Sequence, residues 1–179
     1  MKFSVLETDI GAFSLFARED HLWRLDLVAS GAADARKRVS AEFPEAVEQP
    51  LLFEAAIRLL RRYLGGERVD FDIPVDLSGL NPFTSRVLTE IRRIPYGGLA
   101  SYGTIARHVG CPNGARAVGQ ALARNPIPVV IPCHRIIRGD GSLGGFGLGL
   151  DMKVKLLSIE GVDMHGQRKP AASLQYTGS

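Results

Sequence analysis

The run Asn125-Pro126-Ile127-Pro128-Val129-Val130-Ile131-Pro132-Cys133-His134-Arg135 places a thiol, an imidazole and a guanidinium in consecutive positions behind three prolines. Each proline fixes its own φ, removes an amide donor and pushes the preceding residue toward extended backbone. Such a segment makes a poor central strand and a good rigid loop. The apolar stretch Val129-Val130-Ile131 is expected to bury the approach to Cys133. A thiol attacks as thiolate, so a buried cysteine needs a base or a cation beside it. His134 and Arg135 supply both types. Neighbouring side chains in extended backbone point to opposite faces, so a turn or a bridging water is needed to connect Cys133 with His134. A third group should orient the imidazole. Glu160, after a predicted helix over 151–159 and just before Gly161, is the candidate. A carboxylate at a helix C-terminus is disfavoured by about a few tenths of a kcal/mol. A solvated terminal glutamate is therefore the plain alternative.

Upstream, residues 84–94 carry Val87, Leu88, Ile91 and Ile94 on a helical stripe. Residues 101–109 read as a short helix capped by the Ser101 hydroxyl and closed by Gly110. Cys111-Pro112-Asn113-Gly114 leads into a third helix over 115–124, with Pro112 expected in its first turn. Two short helices joined by a tight turn make a helix-turn-helix unit. In its second helix Ala115, Gly119 and Ala123 lie four apart, giving a nearly smooth face flanked by Arg116 and Arg124. That face suits either a neighbouring helix or the floor of a groove. Gly139 to Gly149 contains six glycines, including a formal GxGxxG. Without a strand before it and a helix directly after it, this run reads as a closely approached pocket wall and not as a dinucleotide loop.

The first third reads as strands and helices: runs 3–7, 12–17 and 22–27 form an antiparallel meander, followed by helices over 32–43 and 51–64 and a strand-like alternation over 69–75. Residues 76–82 look like a linker. The expected architecture is α+β in two domains: an N-terminal antiparallel sheet with helices over 1–78 and a mainly helical C-terminal domain over 79–165. A tail follows over 166–179.

The chain has 179 residues and a net charge of +3, unevenly spread. Between Glu90 and Asp140 there are seven arginines and no acidic residue, leaving the remainder at 15 basic against 19 acidic. A segregated positive field suits a polyanion such as nucleic acid. No apolar run approaches the roughly 20 residues of a membrane span, and the N-terminus lacks a signal-peptide core. Two cysteines cannot build a disulfide framework, so a reducing intracellular compartment is expected. His21, His108 and His165 lack partners at metal-ligand spacing, and neither a metal nor a cofactor is expected.

Ile131-Pro132-Cys133-His134-Arg135-Ile136-Ile137 closely resembles the O6-alkylguanine-DNA alkyltransferases. The match extends through Arg116-Ala117-Val118-Gly119, Asn125-Pro126, Lys153 and Leu156-Leu157 to Glu160-Gly161. It is dense over residues 83–162, while the N-terminal part matches in its strand-helix layout, which the resemblance implies to be RNase H-like. The resemblance implies a DNA repair protein acting on double-stranded DNA that contains O6-alkylguanine. Cys133 would take the alkyl group irreversibly, in one turnover. His134 would draw off the thiol proton through a water, Glu160 would fix its tautomer, and Asn125 would support the loop. Tyr102 would donate a proton to the departing guanine. Arg116 would fill the space left by the flipped base, with Ala115, Ala117 and Gly119 in the minor groove and Arg124 nearby on DNA. Tyr102, Ile136, Phe146 and Gly147 map to pocket positions, with Phe146 replacing the tyrosine of some members. Some members bind zinc in the N-terminal domain; with no cysteine before Cys111, no such site is expected here. A free-standing monomer, able to cluster on DNA, is implied, in the cytoplasm or in the nucleus of a eukaryote. A non-catalytic sensor of alkylated DNA is the alternative, against which the thiol at Cys133 argues, since such relatives typically carry tryptophan there.

Overall fold

The computed structural model describes residues 1–163; the expected tail over 166–179, with His165 just before it, lies outside the described residues. The chain divides into two compact units, Met1–Leu77 and Ser78 onward.

In the first unit β1 (Lys2–Thr8), β2 (Gly11–Arg18) and β3 (His21–Val28) form the expected meander. Gly11 is required at its turn, because its φ is +119° and a Cβ there would lie 2.7 Å from the Val28 carbonyl oxygen. The short β4 (Val47–Glu48) joins parallel to β1, giving the order β3-β2-β1-β4. The sheet is therefore mixed, where a purely antiparallel one was expected. Strand β2 is buried on both faces. Ala12 and Phe16 cluster with Ala35 and Val39 of α1 (Ala32–Glu42), while Phe13 and Leu15 are also fully buried. The expected helix over 51–64 starts as a 3-10 turn at Pro50–Phe53 and continues as α2 (Glu54–Leu64). The strand expected over 69–75 does not form. Pro74 has no amide to donate, and the segment makes a single bridge, between Val75 and Leu22.

The second unit opens with α3 (Pro82–Ile91), capped by the Asn81 side chain, which accepts from the Thr84 amide at 2.9 Å. Pro82, read as linker, is the first helical residue, where its missing amide costs nothing. Helix α4 (Tyr102–His108) is capped by Ser101 as expected, and α5 (Ala115–Leu122) follows after a turn. Pro112 lies in that turn and not in the first turn of α5, whose N-cap is Gly114. Helices α3, α4 and α5 pack on one another through Val87, Leu88, Ile91, Ile105, Val118 and Ala121. A pair of two-residue parallel strands, β5 (Ala100–Ser101) and β6 (Ile136–Ile137), was not foreseen. It ties the chain leaving the proline-rich loop to the chain entering α4. Helix α6 (Leu150–Ile159) is the last element among the described residues, burying Lys153, Leu156 and Leu157 on one face, with Glu160 next on that face. No helix among the described residues is long and apolar enough to cross a membrane.

Candidate active site

The proline-rich loop folds back on itself through the Ile131 amide, which donates to the Ile127 carbonyl at 2.9 Å. This turn holds Val129 at a φ of +73°, a rare conformation for a β-branched residue, with its side chain buried. Asn125 spans the loop. Its Nδ2 donates to the Ile131 carbonyl at 2.9 Å and to Cys133 Sγ at 3.0 Å, and its Oδ1 accepts from the Ile127 amide at 3.0 Å.

Cys133-His134-Arg135 is a 3-10 turn, so the opposite-face problem of an extended chain does not arise. All three side chains are buried. His134 Nε2 lies 2.7 Å from Glu160 Oε1. Arg135 donates to both carboxylate oxygens, from Nε to Oε2 at 2.9 Å and from Nη2 to Oε1 at 3.0 Å, and from Nη1 to the Ile94 carbonyl at 2.6 Å. The Gly97 amide donates to Oε2 at 2.9 Å. The solvated-glutamate alternative is thereby excluded: Glu160 is 6% exposed and held by imidazole, guanidinium and amide donors. Burial alone would raise its carboxyl, but these donors outweigh that cost and hold it at about 2. Burial pushes His134 down, so the ring is neutral at pH 7. An anionic Glu160 accepting from Nε2 assigns the neutral tautomer, with the proton on Nε2 and the lone pair on Nδ1.

Burial also pushes the Cys133 thiol up, against the Asn125 hydrogen bond and the charge of Lys153. The resting group is a thiol, and the proton must leave during reaction. Arg135, expected to serve the thiol, serves Glu160 instead. The cation whose charge reaches Cys133 is Lys153, a role that sequence reading did not give it.

A cavity of about 880 Å³ opens beside the sulfur. Of the sequence-derived residues, Cys133, Tyr102, Ala115, Arg116, Gly119, Phe146 and Gly147 line it. Arg124, Ala117 and Ile136 do not; Ile136 is buried and its carbonyl accepts from Lys153 Nζ. Arg107 and Arg138 also line the cavity and were counted only as charge. Gly144 (φ +67°) packs against Tyr102, where a Cβ would lie 2.7 Å from the phenol oxygen. Burial raises the Tyr102 phenol, keeping it protonated. Phe146 meets His134 edge to face, with ring centroids 6.3 Å apart. The site therefore combines a buried nucleophile, a neutral base locked in one tautomer, a protonated phenol and a cationic rim around one cavity.

Residues 82–162 match the DNA binding domain of 6-O-methylguanine DNA methyltransferase, and residues 1–77 match its ribonuclease-like domain. This chain belongs to the methylated-DNA-protein-cysteine methyltransferase family. Among similar members, the methyltransferase of Mycolicibacterium paratuberculosis is 39% identical over 160 residues, covering 89% of this chain and 92% of the relative. The constitutive enzyme of Bacillus subtilis is 38% identical, covering 88% and 94%. Mycobacterium tuberculosis OGT, crystallised in complex with DNA, superposes with a TM-score of 0.77 at 33% identity over 96% of both chains. The two-domain α+β architecture, with a ribonuclease-like sheet unit and a helical DNA-binding unit, is that of the family.

Proposed function

We propose that this methyltransferase repairs double-stranded DNA by moving the alkyl group of O6-alkylguanine onto Cys133, once per molecule. The guanine O6 is out of reach in a stacked duplex, so the nucleotide is flipped into the cavity at a cost of about a few kcal/mol. The Cys133 proton passes through a water to His134 Nδ1, and Glu160 stabilises the imidazolium that forms. The sulfur then attacks the alkyl carbon. The S–C bond forms as the C–O6 bond breaks, the electron pair stays on guanine, and the Tyr102 phenol supplies the proton that guanine takes up. The product is a thioether, which has no hydrolytic route back to thiol.

Arg116 enters the space left by the flipped base, and the small residues Ala115, Ala117 and Gly119 of α5 lie in the minor groove. That groove is about 6 Å wide and accepts a helix only where its side chains are small or the DNA is deformed. Arg124 contributes a phosphate contact. Phe146 and Gly147 wall the base pocket, and the carbonyl of Cys133 faces its guanine edge; the second carbonyl that the family resemblance maps there, at Ile136, accepts from Lys153 and lies behind the cavity wall. Residues 79–165 carry this chemistry, residues 1–78 are architectural, and the protein acts as a monomer able to cluster on DNA, in the cytoplasm or a eukaryotic nucleus.

The observation that carries the reading is Cys133 at the wall of a cavity roomy enough to admit a base, with the locked His134–Glu160 pair behind it. Intact mass after exposure to excess O6-methylguanine duplex tests it. A gain of one methyl per chain, mapped to Cys133, is expected. Repeated turnover without label, or binding without transfer as in a damage sensor, overturns it.

A further inference from the structure

Helix α6 buries a lysine where an aliphatic residue would pack at lower cost. Lys153 is fully buried, between the core of Leu156 and Leu157 and the site. No carboxylate pairs with it among the described residues. Its ammonium instead donates to three carbonyls: Ile136 in β6, Leu143, and Gly145 at 3.4 Å. Ile136 follows the Cys133 turn, and Leu143 and Gly145 belong to the glycine-rich wall of the cavity. Burying an ammonium without a counter-ion is costly, and burial pushes Lys153 down to about 8. The charged groups that reach it are Cys133, which favours the ammonium, and Arg138 and His134, which do not. Beyond its three carbonyl acceptors, the charge that favours the ammonium is a thiolate at Cys133.

Position on the helix gives the second observation. Lys153 and Glu160 are seven residues apart on one face, two turns or roughly 10 Å. The same face thus presents a cation bound to the chain just after the nucleophile and to the cavity wall, and an anion under the base.

We propose that Lys153 is a positioning residue for alkyl transfer, bracing the glycine-rich wall against β6 and supplying the positive charge that stabilises the Cys133 thiolate as it forms. The inference rests on Cys133 being the alkyl acceptor. Its primary test therefore reads thiol ionisation without any DNA.

The rate of Cys133 carboxamidomethylation by iodoacetamide at pH 7, where Lys153 keeps its proton, reads thiolate formation, with peptide mass spectrometry separating Cys133 from Cys111. In Lys153→Met that rate should fall about tenfold, and transfer from methylated duplex at pH 7 should slow about tenfold, with duplex affinity kept. Lys153→Arg, which keeps the charge, should restore the iodoacetamide rate to within about twofold. An equal rate in folded Lys153→Met reduces the lysine to a brace and overturns the proposal, even if transfer slows. Should the variants not fold, the wild-type pH profile decides: the rise of the iodoacetamide rate should flatten near pH 8, where Lys153 loses its proton, and an unbroken tenfold rise per pH unit through that range overturns the proposal equally. Failure of alkyl transfer to Cys133 with a Lys153-dependent iodoacetamide rate would instead fault the proposed function.

Discussion

Replacing Cys133 by alanine removes the proposed nucleophile and leaves untouched the helix face and arginines proposed to meet DNA. Cys133→Ala should abolish transfer, measured as label on protein, while retaining duplex affinity in a binding assay; residual transfer would mean that another group accepts the alkyl. Glu160 couples chemistry to stability. Its carboxyl sits at about 2 in the fold against an ordinary value of 4.5. A depressed carboxyl contributes stability that is fully present above the unfolded value and is lost as pH falls toward the folded one. Stability of the wild-type protein should therefore fall between about pH 5 and pH 2, by an amount of order 3 kcal/mol from this group. Glu160→Gln should flatten that slope in urea unfolding at a series of pH values. It should also slow alkylation, because a neutral amide cannot stabilise the imidazolium. Gly144 sets a steric limit at the same scale. Gly144→Ala puts a methyl 2.7 Å from the Tyr102 oxygen at a positive φ, so it should displace the phenol and slow transfer more than it weakens DNA binding.

Helix α5 separates the two jobs of the site. Arg116 lines the cavity from α5, and its proposed role requires a duplex to fill. Arg116→Ala should slow repair of methylated duplex by more than it slows reaction with free O6-benzylguanine, which needs no flipping; equal losses would remove Arg116 from that role. Much of this element was legible in the sequence, because small residues four apart and flanking arginines are a local pattern. The caps of α4 and the meander β1–β3 were legible for the same reason. The partner of Arg135 was not. Adjacency suggested the thiol, whereas the 3-10 turn aims the guanidinium at Glu160, 25 residues later, beside the Gly97 turn. Lys153 was visible as a matching residue, but its burial follows from tertiary packing of α6 and has no sequence signal. The β5–β6 pair is two residues long, too short for any alternation to announce it. The segment 69–75 failed in the other direction. Its alternation is genuine, but Pro74 withholds the donor that a ladder needs, and one bridge at Val75 is what remains.

At the scale of the whole molecule the decisive feature is where charge is absent. Residues 91–139 hold seven arginines and no carboxylate, and this stretch contains α4, α5 and the Cys133 turn. Three of those arginines, Arg107, Arg116 and Arg138, line the cavity, so positive charge gathers where a flipped nucleotide and its phosphates would enter under the proposed function. Glu160, brought into this region from α6, is buried under His134 and neutralised by Arg135, and Glu90 is paired with Arg93 and His108, so neither adds much repulsion toward a polyanion. Phosphate contacts displace condensed counterions, so the logarithm of affinity should fall linearly with the logarithm of salt, by about 0.9 per phosphate neutralised on duplex. Fluorescence anisotropy with a methylated duplex between low and physiological salt should show that fall. Arg107→Ala should make the slope shallower by close to one unit while leaving the rate with free O6-benzylguanine unchanged. A slope indifferent to salt would mean that the arginine segment does not meet phosphate. A lost free-base rate in Arg107→Ala would instead place that arginine on the base itself.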